Sequence, residues 1–254
     1  MRERIDLPTP DNPPWGLPAA ISVWLLSVFL IALMPYIFVV PYLNLKGVTK
    51  ETAVIEEFIK NDPTAIILNL VAVFPAHIMT LVVCWFIVTG FGRYSFRQTL
   101  GWSLEKVNLS WAVIAVIAFN VIALLLLYLF PEPENDLIRI LRSSSQALYL
   151  TAFLAISTAP IVEEVVYRGI LYPVFQRKFG IAPAILFVTI LFAIIHVPQY
   201  FPSYITISLI FTLSLLLTFV RAYSGSLLPC VLIHMFHNFI QVIALVVQDF
   251  MKTK

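Results

Sequence analysis

Long apolar runs separated by short polar breaks dominate the chain. A bilayer crossing takes about 20 mostly apolar residues. Stretches of that kind occupy 18–43, 65–90, 110–130, 147–176, 181–197, 203–220 and 226–248. The pattern predicts an all-α fold, a polytopic membrane bundle of about seven transmembrane helices around a buried hydrophilic cavity. Pro35, Pro41 and Pro75 are expected to kink the first two spans. Val197 to Pro202 reads as a tight break between spans five and six.

The polar breaks differ in character. Residues 1–14 form a polar, proline-rich arm, and the apolar run behind them is too long for a signal-peptide core. Residues 44–64 are acidic, and Ile55 and Phe58 allow part of them to lie as an interfacial helix. Residues 91–109 carry Arg93, Arg97 and Lys106, and residues 131–146 read as a loop.

Composition agrees with this pattern. The chain is 60% hydrophobic and 12% charged, against about 25% charged in soluble domains, and its mean hydropathy is +0.93. A net charge of +2 gives no reason to expect nucleic acid as a partner. Cys84 and Cys230 sit in apolar runs without a C-x-x-C neighbour and read as packing residues. One face of the bundle would hold Arg2, Arg4, Arg93, Arg97, Lys106, Arg177, Lys178 and Arg221. The other would hold Lys46, Lys50, Lys60, Arg139, Arg142, Lys252 and Lys254, so the basic count tips the N-terminus toward the cytosol.

Against this background, Glu163 and Glu164 stand out. Ionised carboxylates inside a bilayer are costly and mark functional sites. Glu164 and Arg168 are four residues apart on one helix face and can pair, whereas Glu163 points about 100° away and stays free. Polar residues recur late in the chain at His196, His234, His237 and Asn238. At 1.5 Å per residue, Glu163 and His196 lie roughly 21 and 22 Å from the edge where Arg177 and Lys178 sit. His234 and Asn238 lie roughly 12 and 18 Å in. The groups are therefore expected to converge on one mid-membrane layer.

Peptide hydrolysis fits such a set. A free glutamate can take a proton from water. A histidine can hold that water, or bind a divalent metal such as zinc that acidifies it; Glu163, His196 and His234 are the candidate ligands. A histidine and an asparagine can donate to an oxyanion. Ser157 and Ser226 have no evident base, and no H-E-x-x-H motif occurs. His77, Asn69, Asn120, Tyr167 and Tyr172 read as packing or interhelical groups.

E-E-x-x-x-R at 163–168, F-x-x-x-H at 192–196 and H-x-x-x-N at 234–238 follow one another on late spans. With the lead-in Gly225-Ser226-Leu227-Leu228-Pro229, they resemble the CPBP intramembrane protease family over about residues 145–245. That family includes the type II CAAX prenyl endopeptidases and the bacterial Abi proteins linked to bacteriocin processing and self-immunity. The hydropathy pattern gives a cytosolic arm at 1–14 and transmembrane helices one to three over 15–143, and the resemblance implies a catalytic core over 144–250. It implies Glu163 as general base with His196 as partner, Glu164 and Arg168 as orienting groups, and His234 and Asn238 as the oxyanion hole. His237 lies outside the pattern. The implied activity is membrane-embedded endopeptidase cleavage of a membrane-associated, CAAX-type prenylated or other, protein or peptide substrate. A proton-coupled transporter would also use intramembrane Glu and His, but no second copy of the acidic motif appears. A non-catalytic immunity or scaffold protein would leave motif positions unfilled, and here all are filled.

Overall fold

A computed structural model describes residues 7–49 and 51–252. Arg2, Arg4, Lys50 and Lys254 lie outside the described residues. The helices in chain order are α1 Leu17–Leu45, α2 Thr52–Asn61, α3 Pro63–Thr89, α4 Phe96–Leu100, α5 Leu109–Leu129 and α6 Asp136–Ser143. Then come α7 Ser145–Ile156, α8 Thr158–Glu164, a π-helical segment Val165–Leu171, α9 Tyr172–Phe179, α10 Ile181–Tyr200, α11 Tyr204–Ser224 and α12 Leu228–Lys252. Seven units are long and apolar enough to cross a membrane: α1, α3, α5, the composite Ser145–Phe179, α10, α11 and Leu228–Val246. The chain is a polytopic, multi-pass helical membrane protein.

Short polar residues set the helix starts. Asp62 caps α3 by accepting from Ala65 N–H, ahead of Pro63, and Asn108 caps α5 through Trp111 N–H. Asn135 caps α6 through Ile138 N–H, which places a short helix inside 131–146 where the sequence reads as loop. Glu132 accepts from Thr206 N–H at 3.1 Å and Thr206 Oγ1 at 2.7 Å, so its carboxylate sits at the N-terminus of α11. α10 runs through Pro198 to Tyr200, so the break expected from Val197 begins only at Phe201. α1 and α3 likewise continue through their prolines.

The core lies where α1, α3, the composite fourth span, α10 and the start of α12 meet, around Tyr167, Ile170, Leu171, Tyr172, Phe192 and Leu227. Outward residues such as Phe29, Ile122, Leu125, Leu186 and Phe219 are exposed, as suits a lipid-facing surface.

One end of the bundle gathers the arm and the even-numbered connections. Arg221 is buried, donates to Asp11 Oδ1 at 3.0 Å and to Pro10 O at 2.6 Å, and lies over the Tyr172 ring. Arg177 donates to Asn12 Oδ1, Pro13 O and Trp15 O. Leu227 N–H donates to Gly101 O at 2.8 Å, and Ser226 Oγ accepts from Ser103 N–H at 3.1 Å. Ser226 therefore serves as a structural clamp.

Gly101 has φ +71°, and a Cβ there would meet Gly225 O at 2.8 Å and Ser226 Cα at 3.0 Å. Backbone cannot yield as a side chain does. Gly101→Ala is expected to destabilise the protein by more than about 1 kcal/mol, read as a lower melting midpoint in detergent.

Candidate active site

The fourth span carries the acids on a broken helix. α7 ends at Ser157, whose φ −108° and ψ −76° depart from helical values, and α8 restarts at Thr158. Beyond Glu164 the chain widens into the π segment, where Tyr172 N–H reaches Tyr167 O, five residues back. Such segments are rare and frequent at functional sites. Trp15 Nε1 donates to Ile170 O at 3.1 Å, and Trp24 Nε1 donates to the Tyr167 hydroxyl at 2.9 Å. The two tryptophans pin the π segment from the first span and the residue preceding it.

Glu164 and Arg168 are both fully buried, with Arg168 Nη1 2.8 Å from Glu164 Oε1. Arg168 also donates from Nε to Thr218 Oγ1 at 3.1 Å, and from Nη2 to Ser214 Oγ at 2.7 Å and Ser214 O at 2.9 Å. Its guanidinium lies 4.8 Å from the centroid of Phe192. A buried ion is tolerable only when its hydrogen-bonding capacity is met this fully.

Glu164 Oε1 takes a second donor, His234 Nδ1, at 2.9 Å. A carboxylate oxygen only accepts, so Nδ1 carries the hydrogen, and Nε2 is turned toward Glu163 Oε2, 3.8 Å away. That distance exceeds a hydrogen bond. Glu163 has no hydrogen-bond partner among the described residues, and its side chain is 23% exposed. The two adjacent acids thus occupy opposite environments.

The other motif residues stand around this pair. His196 Nδ1 donates to Phe192 O at 2.7 Å, which leaves Nε2 uncommitted. Its ring stacks on Phe192 with centroids 4.5 Å apart, and the far edge of Phe192 meets His234 at 6.2 Å. Phe192 is thus the wall shared by Arg168, His196 and His234. The imidazole beside Glu163 is that of His234; His196 comes within 4.0 Å of no carboxylate among the described residues. Asn238 Nδ2 donates to Ala155 O at 2.7 Å, next to the helix break, and has a second hydrogen to give.

Residues outside the motifs divide. His237 is buried, between Asn120 Nδ2 at 3.1 Å and the Gln241 side chain at 3.2 Å, so it ties spans three and seven together. Asn69 donates to Ala65 O within its own helix and joins no neighbour, unlike Asn120. Cys84 and Cys230 are free and buried. Ser157 bonds Phe153 O. Ser214 and Thr218 accept three of the four hydrogen bonds of Arg168 and are readable as hydroxyls at helical spacing, two turns and one turn before Arg221.

The two best-formed cavities lie elsewhere. One, about 380 Å³, is an apolar groove between α5, α11 and α12 with His237 on its wall. The other lies among Lys60, Glu134, Arg139 and Arg142. In the polar cluster itself, Glu164, Arg168 and His234 are buried, whereas Glu163, His196 and Asn238 are partly exposed. Among the described residues, no three His, Cys, Asp or Glu side chains converge as ligands for one metal ion. Glu163 and His234 approach each other, but His196 is turned to its own helix.

Residues 145–240 match the family model "Type II CAAX prenyl endopeptidase Rce1-like". No curated protein and no solved structure matches the chain. The matched stretch covers the composite fourth span and most of the three that follow, the same helices that supply Glu163, Glu164, Arg168, His196, His234 and Asn238. This stretch, less than half of the chain, is therefore similar to the type II CAAX prenyl endopeptidase Rce1-like family, a family of membrane proteases.

Proposed function

We propose that the protein is an intramembrane endopeptidase in which Glu163 activates water. The observation that carries this reading is the division of labour between neighbouring acids. Glu164 is buried with Oε1 held by both Arg168 and His234, while Glu163 has no hydrogen-bond partner among the described residues and is reachable. An unpaired carboxylate beside a fixed imidazole is what a general base needs. His196, its Nδ1–H held by Phe192 O, offers a lone pair on Nε2 that accepts a hydrogen bond from the second O–H of the same water, which stays on the attacking oxygen. Water then attacks the scissile carbonyl. The spare hydrogen of Asn238, with His234 one helical turn away beside it, stabilises the oxyanion. Glu163 returns its proton to the leaving amine.

The substrate is a membrane-associated protein or peptide, prenylated CAAX-type or otherwise, because the acids lie within a span. The arm-bearing face is cytosolic, since it carries Arg93, Arg97, Lys106, Arg177, Lys178 and Arg221. The test is one peptide presented to the reconstituted protein with and without a lipid anchor. Cleavage is expected for the anchored form alone; equal cleavage of both contradicts a membrane-embedded site.

No step is routed through a metal, because the donors do not form a ligand set as folded. Cleavage is accordingly expected to survive chelation by EDTA or phenanthroline. Loss of activity restored by zinc would mean that His196 turns to join Glu163 and His234 around the ion.

A further inference from the structure

All four histidines of the chain lie in spans, and three belong to the matched segment. The fourth, His77, comes from α3. It is buried, and its Nδ1 lies 2.9 Å from Thr158 Oγ1. Thr158 opens α8, the helix that ends in Glu163 and Glu164, directly after the break at Ser157. A helix interrupted at Ser157 does not fix the orientation of its next turn through its own backbone alone. An external tie at Thr158 does.

We propose that His77 is a positioning residue for Glu163, and that the first half of the chain thereby completes the site. The inference rests on the reading of Glu163 as general base. Thr158 Oγ1 has no other hydrogen-bond partner among the described residues. Its hydroxyl can therefore donate to Nδ1, which puts the remaining ring hydrogen on Nε2. A carboxylate only accepts, so this Nε2–H can steady the Glu163 carboxylate through one water.

The amide side chains separate those functions. Asparagine reproduces Nδ1 and keeps the Thr158 contact; glutamine reaches the Nε2 position. If His77 positions Glu163, His77→Asn lowers kcat on the order of 10²-fold, the cost of misplacing a reacting group by about 1 Å, with KM little changed. His77→Gln then loses markedly less. If His77 only clamps the helix break, the order reverses. Equal kcat for the two variants, or a more active Asn variant, overturns the proposal.

A second measurement needs no turnover. With ¹⁵N-histidine labelling in detergent, His77 is expected in the Nε2–H tautomer, with a ring resonance that shifts in Glu163→Gln. A His77 signal unmoved by Glu163→Gln, or one with hydrogen on Nδ1 alone, rejects the role even if no substrate is found. Loss of peptidase activity as the function would appear separately, as a wild-type protein that cleaves nothing while the His77 resonance still responds to Glu163.

Discussion

Arg168→Met is expected to be the most destabilising single change in the last four spans. The substitution leaves Glu164 fully buried with its principal counter-charge gone, and strands the hydroxyl of Ser214, whereas that of Thr218 keeps its bond to Ser214 O. Breaking a buried pair by removing one partner costs about 3–5 kcal/mol, chiefly through the uncompensated charge left behind. Removing both charges is different. Glu164→Gln combined with Arg168→Met is expected to recover much of the loss, because no buried ion then remains. Unfolding in a denaturing detergent titration reads both. An Arg168→Met protein within about 1 kcal/mol of wild type would mean that the buried pair does not hold the bundle together.

The second large effect is on catalysis alone. Glu163→Gln keeps the shape of the side chain and removes its basicity. Cleavage is expected to fall about 10²–10⁴-fold. Stability is expected to change by no more than about 0.5 kcal/mol, since Glu163 has no hydrogen-bond partner to lose. Glu163→Asp keeps the base but withdraws it by one methylene, a displacement of about 1.5 Å, and is expected to lose on the order of 10²-fold. Together the variants separate the roles of neighbours: substitution at Glu164 or Arg168 shifts unfolding, and substitution at Glu163 shifts turnover.

Much of this architecture was legible along the chain. Each of the seven apolar runs became a span, because no other element satisfies its own backbone in lipid. The spacing of Glu164 and Arg168 gave their pairing directly; the depth estimate left His234 roughly 9 Å short of the acids, yet His234 and Glu164 touch at 2.9 Å. The widening of the helix at Val165–Leu171 was not legible. Those residues read as an ordinary apolar turn, and the π register depends on Trp15 and Trp24 from the far end of the sequence. Nor did the spacing show that Asn69 would satisfy itself within its helix while Asn120 reached across to His237. Helical periodicity fixes which side chains share a face; it does not say which neighbouring helix that face meets. His77 was read as packing for the same reason, its partner Thr158 lying 81 positions away.

Mass spectrometry of a lipid-anchored peptide after incubation with the purified, reconstituted protein bears most directly on whether this bundle is a glutamate-dependent protease. One new pair of termini is expected from wild type, and none at comparable times from an equally folded Glu163→Gln protein. Cleavage by the Glu163→Gln protein at the wild-type rate would contradict it.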